Sequence, residues 1–153
     1  MLASLALLSG IVAGSRAFTA PAAVSWAASL GDLNLAGSWL AFMGAAWTSW
    51  IFTALALLEL ITDQLPSTPS RKTPPQFGAR LASGALCGAT LGASGGFWIG
   101  GLVAGVIGAV IGTYSGAEAR ARLAKAFGRD RPAALIEDAA AIVLGLVIVL
   151  ALR

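Results

Sequence analysis

Histidine is absent from this chain, and cysteine occurs once, at Cys87. Those two shortages remove several chemistries. Without an imidazole there is no Ser-His-Asp or Cys-His nucleophile, no HExxH zinc site and no histidine pH switch. A single thiol excludes a cysteine metal cluster and an intrachain disulfide. Its small neighbours Gly84 and Gly88 mark it as a buried apolar residue. Any bound metal would have to be a hard ion held by oxygen. Charge is scarce too: 11% of the 153 residues are Asp, Glu, Lys or Arg, against about a quarter in soluble domains. Apolar residues make up 58% of the chain, more than a water-soluble fold of this size can cover. The net charge of +3 does not point to nucleic acid, because the basic residues lie between apolar runs and form no stripe interleaved with exposed aromatics. No motif calls for a cofactor.

A hydrocarbon layer of about 30 Å needs about 20 helical residues, and against that ruler the chain divides into a single all-α membrane domain over residues 1–153 with about five crossings. Leu2 to Leu30, carrying only Arg16, reads as the first crossing, kinked or split into two half-helices near Arg16 to Pro21, and a four-crossing chain with a re-entrant first segment is the main competitor. The same run has the outline of a signal sequence with a small-x-small site at Ser15-Arg16-Ala17. No basic segment precedes it, however, and apolar character resumes after Arg16. Leu33 to Ala46, with Trp39 and Trp47 nearby, reads as an interfacial loop, and residues 41–63 as a second crossing. Asp63 to Gln76 is too rich in proline for a membrane helix. The charge-free stretch Leu81 to Ala117 would be about 55 Å long as one straight helix, so it must turn back. Ser94-Gly95-Gly96 is the obvious place, separating crossings at 77–93 and 97–117. Pro132 then opens a last crossing at 133–152. Lys and Arg fall in the loops around Arg71 to Arg80 and Arg120 to Arg131, which five crossings put on one side. The positive-inside rule makes that side the cytoplasm of a bacterial inner membrane, with the N-terminus also cytoplasmic and Arg153 outside.

Gly84, Gly88, Gly92, Gly96 and Gly100 recur every fourth residue, then Gly101 and Gly105, then Gly108, Gly112 and Gly116. Small-xxx-small rows let helix backbones approach closely, so a glycine zipper is expected between the third and fourth crossings, with a further face for a homo-oligomer or another membrane protein.

The ionisable residues near the bilayer are the candidate ion, proton or substrate ligands, since buried charge in a membrane is costly and usually faces a partner or a pathway. Arg16 falls at mid-depth of the first crossing. Glu59 and Asp63 lie four apart on one helix face near the cytoplasmic end, level with Arg80. Glu59 has no helix end of its own to cap. Glu137 and Asp138 are expected in the first turn of the last helix, where carboxylates offset the dipole. Ser70, Arg71 and Lys72 combine a hydroxyl with two cations and could hold a phosphate or lipid headgroup, without the glycine framework of a P-loop.

Over nearly its whole length the chain resembles the bacterial membrane-protein family catalogued as domain of unknown function 4126. The resemblance is carried by Glu59-Leu-Ile-Thr-Asp63-Gln-Leu-Pro66-Ser-Thr-Pro69-Ser-Arg71, by Ala79-Arg80-Leu-Ala-Ser-Gly84, by Gly14-Ser-Arg16-Ala-Phe-Thr-Ala-Pro21 and by Leu135-Ile-Glu137-Asp138. It implies that Arg16, Glu59, Asp63, Pro66, Arg71, Arg80, Glu137 and Asp138 are the family's recurring polar positions, and it names no substrate. The family usually has lysine after the aspartate, where this chain has Gln64. Three functions are compatible with these residues: an oligomeric ion or small-solute transporter, a non-catalytic accessory subunit of a larger membrane complex, and an enzyme that acts on a lipid phosphate through a divalent ion.

Overall fold

The computed structural model describes residues 1–63 and 72–153 and is all-α, with no strand among those residues. Its helices are α1 (Leu2–Ser15), α2 (Thr19–Ser29), α3 (Ala46–Thr62), α4 (Pro74–Ser94), α5 (Trp98–Phe127) and α6 (Asp130–Leu152), with a 3₁₀ turn at Ala41–Gly44. The turn at Gly95 and Gly96 falls where the charge-free stretch has to reverse, and Gly96 takes the left-handed conformation (φ 76°) that favours glycine. Pro74 and Pro75 begin α4 instead of ending a loop, at positions where the missing N–H costs nothing.

The expected first crossing is two helices. The break comes before Pro21, because in a continuous helix that proline would leave the Ala17 carbonyl without its N–H partner and crowd it with the ring. Arg16 turns extended instead (φ −136°, ψ 110°), and the Ala17 carbonyl accepts a hydrogen bond from the Ser83 hydroxyl. Pro21 then lies in the first turn of α2, where backbone N–H groups have no intrahelical partner in any case.

The two short helices also run in opposite directions. α1 follows α5: Leu2 lies against Gly95, Ile11 against Gly112, and Gly14 against Ala109 and Thr113. α2 follows α6: Thr19 and Ala23 lie beside Gly145, and Asp32 is 3.7 Å from Arg153. Since α6 doubles back on α5 through the left-handed Gly128, α1 and α2 form a re-entrant pair whose tip is Arg16–Phe18. Residues 2–30 are therefore not one end-to-end helix, as the five-crossing reading expects, but fold back as in its four-crossing competitor. The N-terminus lies at the end of the bundle that carries Gly95 and Gly96, opposite the basic residues Arg122, Lys125 and Arg129, not beside them.

α1, α4 and α5 pack backbone to backbone. A Cβ at Gly88 would strike the Gly101 carbonyl, and one at Gly105 would strike that of Gly84. Gly92 meets Gly101 as well. Gly108 and Gly112 face Leu7, Gly10 and Ile11 on the other side of α5. The expected ladder needs correction at two places. Gly96 belongs to the turn with open space around it, and Gly100 meets only the ring of Phe97. The α5 side of the contact is carried by Gly101 and Gly105, the second expected row, which begins one residue after Gly100.

Ala6, Ala13, Cys87, Thr90, Ala109 and Thr113 are fully buried alongside Val12, Leu91 and Ile148, whereas Leu58, Ile61, Ile99, Leu135, Leu146 and Leu150 point outward. So many large apolar side chains on the outside are unusual for a soluble domain. Among the described residues, α5 and α6 are long and apolar enough to cross a bilayer, and α1 and α3 are apolar but shorter. Trp39, Trp47, Trp50 and Trp98 are exposed towards the N-terminal end, with the rings of Trp39 and Trp98 meeting edge-on at 6.0 Å. The 33–46 segment is anchored there by Leu33, Leu35, Leu40 and Met43, which are buried, and by Ser25, whose hydroxyl donates to the Met43 carbonyl at 2.8 Å.

Candidate functional site: the charge cluster at the re-entrant tip

The tip of the α1–α2 pair is where the chain has unsatisfied backbone groups and where its buried charges gather. Breaking the helix frees the N–H groups of Ala17 and Phe18, and both are accepted by one carboxylate: Glu59 Oε1 from Ala17 at 2.7 Å and Oε2 from Phe18 at 2.9 Å. Glu59 therefore does cap a helix, namely the N-terminus of α2, reached from α3. A negative group there also suits the helix dipole. Arg80 of α4, itself buried, places Nη1 3.6 Å from Glu59 Oε1.

Arg16, the residue that ends α1, is fully buried. Its guanidinium reaches two helices. Nε donates to Asp138 Oδ1 of α6 at 2.6 Å, Nη1 donates to Asp63 just beyond α3, and Nη2 lies 3.7 Å from Glu137 Oε2. A guanidinium taken out of water is tolerable only when charged acceptors surround it, and this one is held on three sides. The Gly14 carbonyl accepts from Thr113 of α5 at 3.2 Å. Arg16 therefore sits near the level at which α5 leaves its charge-free stretch and enters Glu118 and Arg120.

Glu137 and Asp138 are not in the first turn of α6. That helix begins at Asp130, two turns earlier, because Pro132 is accommodated within the first turn instead of opening it. The pair serves Arg16 and Arg120, and Asp130 takes the first-turn position. Arg120, on α5, bonds Asp130 through Nε at 3.0 Å and Nη2 at 2.5 Å, and its Nη1 is 3.7 Å from Glu137 Oε2. Its Nη2 also donates to the Asp63 carbonyl at 3.3 Å.

The cluster thus joins α1, α2, α3, α4 and α6 at one level, with α5 at its rim. All six candidates Arg16, Glu59, Asp63, Arg80, Glu137 and Asp138 belong to it. Its carboxylates face guanidinium and backbone N–H groups, and among the described residues no three acidic groups converge as metal ligands would. Ser70 and Arg71 lie outside the described residues. Lys72 is exposed, with Nζ 5.6 Å from the centre of the Tyr114 ring.

Sequence reasoning did not single out Arg120, Ser83, Thr113 or the pair Gly10 and Gly14. The last had a signal, the same fourth-residue spacing as the longer ladder. The first three are legible only once the tip is known to need partners. No protein-family model matches the chain, no curated protein is significantly similar to it, and neither is any solved structure.

Proposed function

We propose that this protein is a multi-pass transporter of an ion or small solute in a bacterial inner membrane, working through the cluster at the re-entrant tip. In this reading α3 to α6 cross the bilayer, and the α1–α2 pair dips in from the side opposite the basic loops. The positive-inside rule makes the basic end cytoplasmic, which leaves the N-terminus outside together with Arg153. Large apolar side chains outward and glycine, alanine and threonine inward support lipid as the surrounding solvent. The motif resemblance noted above agrees with a membrane location and with these polar positions.

The observation that carries the transport reading is Arg16: a fully buried guanidinium at a helix break, enclosed by carboxylates from two other helices. Broken helices that meet inside a membrane protein expose backbone groups and helix ends to a site, and buried ionisable residues mark pathways. Glu59 is the group best placed to move, since it holds two N–H groups of the tip and one face of Arg80. No second copy is needed to satisfy the glycine faces of α4 and α5, which are used within the chain.

The test is flux through the purified protein in liposomes, driven by a pH gradient or by a monovalent-cation gradient. Flux above that of empty vesicles, abolished by Glu59→Gln in a variant that keeps its helical content, is the expected result. Flux absent for every ion tried, or unchanged by Glu59→Gln, overturns the proposal.

A further inference from the structure

Between α1, α5 and α6 lies a hollow of about 360 Å³ whose walls are apolar and whose upper end is charged. Ile11, Ile136, Ala140 and Leu144 form its sides, and Gly112 and Gly116 line it on α5. Arg120 and Glu137 close the end nearest the basic loops. A cavity graded from hydrocarbon to charge along the bundle axis matches an amphiphile with its chain along the helices and its head at the rim.

The charge at the rim decides which amphiphile. Arg120 is the cation that lines the hollow; Glu137 beside it lies 3.7 Å from Nη1, and the partner a phosphate would displace is Asp130. The Asp130 end of their bidentate pair is open to solvent, its side chain being 61% exposed against 18% for Arg120, so that carboxylate regains water when displaced. Around them the segment from Glu118 to Arg131 holds five basic residues against two acidic ones. A phosphate diester arriving from the lipid could take the guanidinium from Asp130 and gain the field of Arg122, Lys125 and Arg129, whereas a cationic head would face that field. We propose that this hollow is a binding site for one anionic phospholipid. One acyl chain lies against Ile11 and Leu144, and the phosphate is held by Arg120 in place of Asp130.

The inference rests on the bilayer placement proposed above but not on transport. It is tested by delipidating the protein in detergent, adding phosphatidylglycerol or phosphatidylcholine with identical chains, and counting retained lipid by native mass spectrometry. Phosphatidylglycerol is expected to be retained about fivefold better, the difference one cation near a headgroup makes. Arg120→Gln removes that preference, and Ala140→Phe, at an outward-facing position, excludes both lipids. Asp130→Asn frees Arg120 and raises phosphatidylglycerol retention, a gain that loss of structure cannot imitate. Equal retention of the two lipids, or an Asp130→Asn variant that binds no better than the parent, overturns the site. A protein that stays folded and dispersed without detergent would remove the bilayer placement instead, so the two failures are distinguishable.

Discussion

Within two turns of α1 the packing changes its principle. From Gly10 to Gly14 the helix lies directly on the backbone of α5, with no charge nearby and no room for a methyl group. At Arg16 the backbone lets go, and what holds the chain is a guanidinium, three carboxylates and two N–H groups given to Glu59. The first region is stabilised by shape. Van der Waals contact between close backbones stands in for the hydrophobic effect, which lipid would not supply. The second is stabilised by pairing, where each charge is tolerable only because the others are present. The two regions should therefore fail to opposite substitutions: the glycine contacts to added volume, the tip to altered charge.

The largest effect is expected in the shape-held region. Gly105→Leu places a branched side chain where a single Cβ already collides with the Gly84 carbonyl and approaches Gly88. Overpacking costs roughly 1–3 kcal/mol where side chains can yield, and here backbone on both sides cannot. Loss of the folded bundle is expected, visible as aggregation on size-exclusion chromatography in detergent. A monodisperse Gly105→Leu variant with the parent's unfolding midpoint would show that α4 and α5 are not in backbone contact.

Next comes the tip. Arg16→Met leaves Asp63 and Asp138 buried without their cation and is expected to cost about 3–5 kcal/mol, read from the midpoint of unfolding in mixed detergents by circular dichroism. Adding Asp63→Asn and Asp138→Asn should return most of that stability, because a neutral site of the same shape has no charge to strand. Flux should not return with it. If the triple variant transports, the charges of the cluster serve structure alone. Glu59→Gln is expected to be milder, about 1.5–3 kcal/mol, since the amide oxygen can still accept one of the two N–H groups.

How much of this was legible in the residues depends on what kind of information each feature needs. The reversal at Gly95 and Gly96 was legible because 37 charge-free positions from Leu81 to Ala117 cannot lie in one bilayer-spanning helix. The polar positions were legible because charge is so rare that each one stands out. The direction of α2 was not. Helices of 14 and 11 residues together make one crossing by length, and hydropathy is the same whether the second continues or folds back. What decides it is tertiary: Ser83 for the Ala17 carbonyl and Glu59 for the tip N–H groups, both distant in sequence. The register of Glu137 and Asp138 was misjudged through Pro132, which is equally at home at the first helical position or two residues on.

The finest contrast lies within a single turn of α5. Gly100 and Gly101 are neighbours in sequence, the first closing one fourth-residue row and the second opening the next. Yet a Cβ at Gly101 would strike the Gly88 carbonyl, whereas one at Gly100 would meet only the Phe97 ring at 3.3 Å. Phe97 is 36% exposed and can swing aside by a few tenths of an ångström. Alanine is favoured over glycine in a helix by up to about 1 kcal/mol, so Gly100→Ala should be neutral or slightly stabilising. Gly101→Ala should lose roughly 1–3 kcal/mol against the α4 backbone. The pair compares identical chemistry one residue apart, so their unfolding midpoints report the register of α4 on α5 directly. A reversed order, with Gly100→Ala the more damaging, would mean that the row closing at Gly100 is the packed one and that the turn at Gly95 and Gly96 is one residue out of place.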